Sequence, residues 1–255
     1  MRRVTLPILI LAAGSLAASG ADQQLINVRF YHLRSAAKAA AFDSMMRDAA
    51  MPVMRDNGAT RVGVFKPLEG EEADPNLRIS VIAYRSLEEL LRLKQAYAQD
   101  PDFWPKAKSY LNQDQDDPAF TRIESMLLQA FSGMPELAIP GSADGKRRIF
   151  ELRTYESHSE IKGLLKVQMF NQGEIQLFEK VGLPAVFYGQ AISAANLPQL
   201  TYMLVHDDAE AQTSAWAAFL AHPEWESMKN QEQYAETVSK ITKTMLVATD
   251  YSDIK

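Results

Sequence analysis

Apolar and polar residues show two periodicities along the chain, a strand-like alternation and a helical spacing, and both occur twice in the same order. They alternate in NVRFYHLRS at 27–35 and in IFELRTYES at 149–157, which is typical of a β-strand with one buried face. Helical spacing follows each strand, from about 36 to 57 and from about 158 to 181, and each stretch ends at a glycine that suits a helix cap. Two further strands, a second helix and a last strand complete each half.

The same signals recur at an almost constant spacing. The segment QDPDFW around Pro101 matches AHPEWE around Pro223, an offset of 122 positions. The strand-like RISVIAYRSLEE at 78–89 falls on LTYMLVHDDAEA at 200–211 at the same offset. Self-similarity at a fixed period indicates a duplicated structural unit.

Each half therefore predicts the order β-α-β-β-α-β, the ferredoxin-like arrangement of an antiparallel sheet with two helices on one face. We expect one copy at 25–131, a second at 148–255, and between them a linker at 132–147 that is rich in Gly, Pro and Ser. The face of each sheet that carries no helices must pack against another element. The prediction is an α+β chain of two tandem ferredoxin-like domains, packed sheet against sheet in a pseudo-dimeric α/β-barrel arrangement.

The first residues have the plan of a secretory signal. Arg2 and Arg3 precede the apolar run LPILILAAGSLAA and the small residues SGA. We expect a signal peptide at 1–21, cleaved after Gly20 or Ala21, and an exported chain in the periplasm or outside the cell. The apolar run is short for a membrane span, so no stable span is expected after its removal. The paired arginines leave the choice between the Sec and twin-arginine routes open.

Composition narrows the classes of function. The chain has 255 residues, 47% hydrophobic and 23% charged, with a formal net charge of −5 and no cysteine. These values are typical of a folded protein and exclude a disulfide scaffold or a thiol nucleophile. No run of basic residues could follow a phosphate backbone, so nucleic acid is not an expected partner.

Four segments of the second half carry a resemblance to a known family. They are FELRTY at 150–155, LFEKVGL at 177–183, AWAAFLAHPEW at 215–225 and TDYS at 249–252. Together they resemble the NIPSNAP domain, within the dimeric α/β-barrel superfamily, over about 148–255, and the first half is similar to a diverged copy. The resemblance implies the fold. It does not imply an activity, because the biochemical activity of the family is not settled.

The strand at 149–157 supplies the first candidate site residues. Its alternation places Glu151, Arg153 and Tyr155 on one face, and we expect that face to point into the space between the two sheets. The opposite face, expected to meet the helices, carries Phe150, Leu152 and Thr154.

The first half should contribute to the same space. At the offset of 122, Arg29 and Tyr31 fall on the equivalent face, and His206 at the end of a strand is a further candidate. Two arginines, a carboxylate and two phenols around one cavity predict a site for a small anionic or phenolic organic ligand. The alternative is an ion-paired interface that only holds the two copies together.

Other motifs point to no cofactor and no metal. The four histidines, His32, His158, His206 and His222, lack the spacing of metal ligands. No nucleophile elbow, phosphate loop or dinucleotide fingerprint occurs. Trp216, Phe219 and Trp225 are predicted to be packing residues.

The leading interpretation is an exported protein that binds a small organic ligand or a protein partner, without recognisable catalytic residues. One alternative, on fold analogy alone, is a cofactor-independent monooxygenase or isomerase. Another is a structural protein that oligomerises through exposed sheet edges, and a homo-oligomer stays open in each case. A roomy cavity beside Arg153 and Tyr155 would favour a ligand, whereas a sealed ion-paired seam would favour a structural role.

Overall fold

The computed structural model describes residues 23–59, 61–141 and 147–255. The signal peptide predicted at 1–21 lies outside these residues, so its cleavage and the export of the chain stay predictions. Over the described ranges, no helix has the length and apolar character that a membrane crossing requires.

The first half has the predicted order of elements, with its helices divided. Its strands are β1 (Leu25–Leu33), β2 (Val62–Pro67), β3 (Leu77–Tyr84) and β4 (Phe120–Ala130). Its helices are α1 (Ala36–Met45), α2 (Met51–Asp56), α3 (Leu87–Gln99) and α4 (Phe103–Leu111), and a π-helical segment, Met46–Ala50, joins α1 to α2. The helix predicted at 36–57 is therefore continuous, and Gly58 follows it with a φ of 93°, a left-handed value that favours glycine.

The second half repeats this order. Its strands are β5 (Ile149–Glu156), β6 (Ala185–Ser193), β7 (Gln199–His206) and β8 (Lys240–Ala248). Its helices are α5 (Glu160–Met169), α6 (Ile175–Lys180), α7 (Ala209–Leu220) and α8 (Pro223–Lys229), with a π-helical segment at Phe170–Glu174 and a short 3-10 helix at Glu232–Tyr234. Pro223 opens α8 and Pro101 precedes α4, so the repeated prolines mark equivalent breaks.

All eight strands form one closed antiparallel barrel in the order β1-β3-β2-β8-β5-β7-β6-β4. Each half contributes four neighbouring strands, and β2 pairs with β8 while β4 pairs with β6 to close the ring. The halves thus meet through strand pairing as well as through packing. A mixed α/β fold with an antiparallel sheet is confirmed. That the two halves are superposable ferredoxin-like copies stays a prediction.

The barrel interior is an apolar core built by strands of both halves. Its buried cluster takes side chains from all eight strands, including Val28, Phe65, Phe150 and Leu246, and takes none from a helix. Two separate clusters lie on the outer side of the barrel, between the strands and the helices of each half. The molecule therefore has an apolar central core and two helix-covered outer layers.

The predicted orientation of β5 is wrong. Phe150 and Leu152 pack in the barrel interior, whereas Tyr155 packs with the helix residues of the second half. Closure of the barrel explains the difference, because the enclosed interior excludes water most completely and takes the more apolar face. The polar face of β5 lies under the helices.

Candidate functional site

The polar face of β5 meets α7, and Glu151 is the centre of the contact. Its side chain is fully buried. Arg153 Nε donates to Oε1 at 2.6 Å, and Trp216 Nε1 donates to Oε2 at 2.8 Å. Two further side chains reach Oε2, Gln212 at 3.1 Å and His206 at 3.2 Å. A carboxylate held by four partners from three elements is fixed in position.

The surroundings of Glu151 keep it ionised. Burial alone would raise the pKa of its carboxyl group. The hydrogen bond with His206, the charge of Arg153 and the bonds from Trp216 and Gln212 outweigh burial and lower that pKa to about 2. Glu151 is therefore a buried anion whose charge is compensated, and it is no proton donor near neutral pH.

Arg153 connects this carboxylate to a group of aromatic side chains. Its guanidinium carbon lies 3.8 Å from the centre of the Trp216 ring, a cation–π distance. Nη1 donates to the Tyr155 hydroxyl at 3.4 Å, and that hydroxyl lies 2.7 Å from the hydroxyl of Tyr202. Burial raises the pKa of both phenols, so both remain protonated at neutral pH.

A second buried ion pair lies beside the first. Lys166 Nζ is 2.6 Å from Glu174 Oε2, and both side chains are almost completely buried. The ammonium group also lies 4.7 Å from the ring centre of Phe170 and 5.4 Å from that of Trp225. Glu174 ends the π-helical segment, a kind of insertion that is frequent at functional sites. Burial raises the pKa of Glu174, and the charge of Lys166 opposes that rise.

These side chains line a cavity of about 740 Å³ between the outer face of the barrel and the helices of the second half. Trp216, Phe219 and Trp225 form aromatic walls, and the exposed Leu220 and Ile241 belong to its lining. The remaining polar lining includes Arg153, Tyr155, Lys166, Glu174, Gln212 and Tyr234. We call this space the C-terminal cavity.

The structure places in two different cavities the side chains that the sequence predicted around one. Arg153 and Tyr155 line the C-terminal cavity, whereas Arg29 and Tyr31 line a different cavity under the helices of the first half. The single cavity between two sheets is therefore a wrong prediction, because each polar strand face lies under the helices of its own half. Glu151 is buried and pairs with Arg153, and His206 is buried as a partner of Glu151.

Sequence reasoning missed several residues of this site. Trp216 and Trp225 were predicted to pack only, but both line the cavity. The pair Lys166 and Glu174 is also absent from the sequence prediction, because other polar and charged residues surround both positions along the chain. No group of residues suited to a metal ion occurs in the described parts of the chain.

Solved structures support the fold over most of the chain. A candidate monooxygenase of Fusobacterium nucleatum is 10% identical over 89% of this chain and 92% of its own, with a TM-score of 0.59. A candidate monooxygenase of Lactobacillus acidophilus is 11% identical over 89% and 94%, with a TM-score of 0.57. An anthrone oxidase-like protein is 12% identical over 89% and 92%, with a TM-score of 0.52. At such identities the likeness shows the fold alone.

Sequence comparison is informative for the second half. No curated protein matches the chain. The NIPSNAP family model matches residues 150–253, a range that contains β5 except its first residue, the helices above it and every residue that lines the C-terminal cavity. The resemblance to the NIPSNAP family is therefore confirmed for the C-terminal half of the chain.

Proposed function

We propose that the chain binds a small neutral or phenolic aromatic molecule in the C-terminal cavity. The observation that carries this proposal is a cavity of about 740 Å³ with aromatic walls, in which the cations Arg153 and Lys166 are already paired with carboxylates. Ligand sites are commonly largely apolar concavities of roughly 300–1,000 Å³ with a few polar groups that fix orientation.

The charges of the lining favour a neutral ligand over an anion. Arg153 is compensated by Glu151, and Lys166 is compensated by Glu174. An anion would have to compete with these carboxylates, so of the two ligand classes predicted from the sequence the phenolic class fits better. A phenol can donate or accept a hydrogen bond beside Arg153 and Tyr155, and its ring can stack against an indole.

The site contains both an open cavity and the ion pair of Glu151 with Arg153. Glu151 is sealed, yet Arg153 retains a side-chain exposure of 17% and borders the open space. The polar network therefore has a supporting part, Glu151 with His206, and an accessible part, Arg153 with Tyr155. An arrangement that holds an arginine rigidly at a cavity wall is suited to binding, because less order is lost when the ligand arrives.

Titration calorimetry with para-cresol and naphthol tests the proposal, with cyclohexanol as the aliphatic comparison. We expect saturable binding of the phenols and at least about tenfold weaker binding of cyclohexanol. Trp216→Phe removes the indole N–H and shrinks the stacking surface, so we expect it to lower the affinity for the phenols by a similar factor. Arg92→Met, at an exposed position of α3, is the control for an unrelated cation. Equal affinity for phenols and cyclohexanol, or no binding at all, would contradict the proposal.

A cofactor-independent monooxygenase is the second candidate. It is favoured by the fold shared with the candidate monooxygenases and the anthrone oxidase-like protein, and by the phenol of Tyr155 in the cavity wall, which is hydrogen-bonded to the buried Tyr202. Oxidation of anthrone would convert its methylene group to a carbonyl, consume one O₂ and release one water. An oxygen electrode would detect uptake above the uncatalysed rate, and uptake equal to that rate would leave binding as the function.

A further inference from the structure

A second cavity lies on the other side of the barrel, under the helices of the first half. Its volume is about 560 Å³, and it shares no lining residue with the C-terminal cavity. The apolar part of its lining includes Met45, Met46, Met54, Leu93 and Phe103. Methionines are flexible and adapt to the shape of an apolar guest. We call this space the N-terminal cavity.

Three hydroxyl groups of this lining have no hydrogen-bond partner among the described residues. They are Ser80 Oγ, Tyr97 OH and Tyr110 OH, each buried from solvent. Ser80 and Tyr110 are also buried as whole residues, with exposures of 1% and 6%. Burial raises the pKa of the Tyr31 hydroxyl and the nearby Ser80 Oγ lowers it only in part, but this contact does not have the geometry of a hydrogen bond. Buried hydroxyls are nearly always paired in folded proteins, so three in one cavity indicate a missing polar partner.

The charge of this lining has one sign. Arg29 and Lys94 are the only charged residues among the described residues that line it. No carboxylate of the described chain lies within salt-bridge distance of Arg29, whose guanidinium carbon lies 5.0 Å from the ring centre of Tyr31. At the offset of 122, Arg29 occupies the position of Glu151. The first half therefore has a cation where the second half has an anion, and it has no paired acid to compensate it.

The phenols around Arg29 are hydrogen-bond donors. Burial raises the pKa of Tyr84, Tyr97 and Tyr110, and the charge of Arg29 lowers each only in part. Protonated phenols beside a guanidinium group form a set of donors with few acceptors. A ligand that completes this set must bring negative charge and acceptor oxygens.

We propose that the N-terminal cavity binds a small organic monocarboxylate, with its carboxylate at Arg29 and the hydroxyls of Ser80 and Tyr110, and its apolar body among the methionines. The proposal is independent of the function of the C-terminal cavity. A carboxylate fits because it is the anion that a guanidinium group and two hydroxyls can satisfy together. An apolar body is required because the rest of the wall offers aliphatic and aromatic contacts.

The test is titration calorimetry of the full chain with hexanoate, octanoate, decanoate and phenylbutyrate, each beside its neutral amide. We expect saturable binding of at least one carboxylate, at least about tenfold weaker binding of its amide, and weaker binding at higher salt. Arg29→Met should weaken the carboxylate by a similar factor, whereas Arg92→Met should not. No saturable binding in the panel, or equal affinity for acid and amide, would overturn the proposal.

Tyr110→Phe separates a binding role from a structural one. If the hydroxyl has no protein partner, its removal should leave the ligand-free melting temperature unchanged or raise it, and should weaken carboxylate binding several-fold. A lower melting temperature together with unchanged binding would show that the hydroxyl supports the fold, and the proposal would fail. This variant keeps the test valid even if Arg29→Met does not fold.

Discussion

At the scale of single residues, the two cavities differ because a carboxylate compensates one arginine and not the other. Glu151 is fully buried and accepts from Arg153, Trp216 and Gln212. Arg29 has no comparable acceptor among the described residues. The same position of a repeated strand thus produces a neutral site in one half and a cationic site in the other.

The first prediction concerns acid. The pKa of Glu151 is about 2 in the folded chain against an ordinary value of 4.5. Its ionised form therefore stabilises the fold above about pH 4.5, and this contribution, on the order of 3 kcal/mol, is lost as the pH falls toward 2. Denaturant unfolding from pH 6 to pH 2.5 should show a steeper loss in the wild type than in Glu151→Gln. Glu210→Gln, at an exposed position of α7, should lose stability with pH as the wild type does. If the unfolding free energy falls equally with pH in all three proteins, the lowered pKa of Glu151 is contradicted.

The second prediction concerns Arg153→Met near neutral pH. The change removes the charge that compensates Glu151, and breaking a buried pair costs about 3–5 kcal/mol. We expect the lower end of this range, because His206, Trp216 and Gln212 still reach the carboxylate. Denaturant midpoints of this variant and of Arg92→Met provide the measurement. A loss no larger than that of Arg92→Met would mean that the pair adds nothing to stability.

The third prediction concerns Lys166 and Glu174. Lys166→Met should destabilise the fold strongly, since it leaves Glu174 buried without a counter-charge. The double variant Lys166→Met with Glu174→Gln should recover much of the loss, because neither charge is then buried. A double-mutant cycle of unfolding free energies gives the coupling. Additive effects of the two changes would contradict the pairing.

At the scale of elements, each half bonds to the other through the residues that follow its last strand. After β8, Thr249 N donates to Val64 O at 2.9 Å, and Asp253 N donates to Val62 O at 3.0 Å. After β4, Phe131 N donates to Tyr188 O at 3.0 Å, and further along the linker a second amide donates to Val186 O. Each half thus donates backbone hydrogen bonds to a strand of the other half. These bonds give the TDYS segment a structural role in joining the halves.

The fourth prediction belongs to this joint. Ser252 Oγ accepts a hydrogen bond from the backbone N–H of Val64 at 3.0 Å in a buried position. Ser252→Ala leaves that donor without its partner, which costs about 1–3 kcal/mol. Hydrogen exchange at Val62 and Val64 should accelerate, while exchange in β7 should change only as much as global stability does. Unchanged protection at Val64 would show that the bond does not hold the edge of β2.

The order of elements was predictable from the sequence, and the assembly of the site was not. The offset of 122 and the alternation of β5 locate the strands and helices within a few residues. Alternation gives two faces of a strand but does not say which one faces the barrel interior, so Phe150 and Leu152 were placed on the wrong side. The contact between Glu151 and Trp216 joins residues 65 positions apart, and no local pattern indicates it.

At the scale of the whole molecule, closure of the barrel makes the two halves depend on each other. The interior cluster combines Val28 and Phe65 of the first half with Phe150 and Leu246 of the second. The ring of eight strands is closed, but its two junctions between the halves are short, because β2 pairs with β8 over Phe65–Pro67 and β4 pairs with β6 over Leu127–Ala130. Oligomerisation through exposed sheet edges, the alternative considered from the sequence, therefore stays untested, as does the formation of a homo-oligomer of any other kind.

The fifth prediction follows from this dependence and concerns residues 148–255 alone. As a monomer, this fragment would expose Phe150, Val186 and Leu246 of the interior cluster, together with the edges of β6 and β8 that pair with β4 and β2 in the full chain. Two copies can cover these residues and pair these edges. In such a dimer β8 of one copy pairs with the edge of β6 in the other, as β4 does in the full chain, and the eight strands close a ring.

Sedimentation of the fragment at micromolar concentration should therefore find a dimer, with helix and strand content similar to that of the full chain. The full chain measured beside it should unfold in a single transition, since the two halves share the interior cluster. A folded, monodisperse monomer of residues 148–255 would contradict the argument, because it would show that the shared interior is not required for either half to fold.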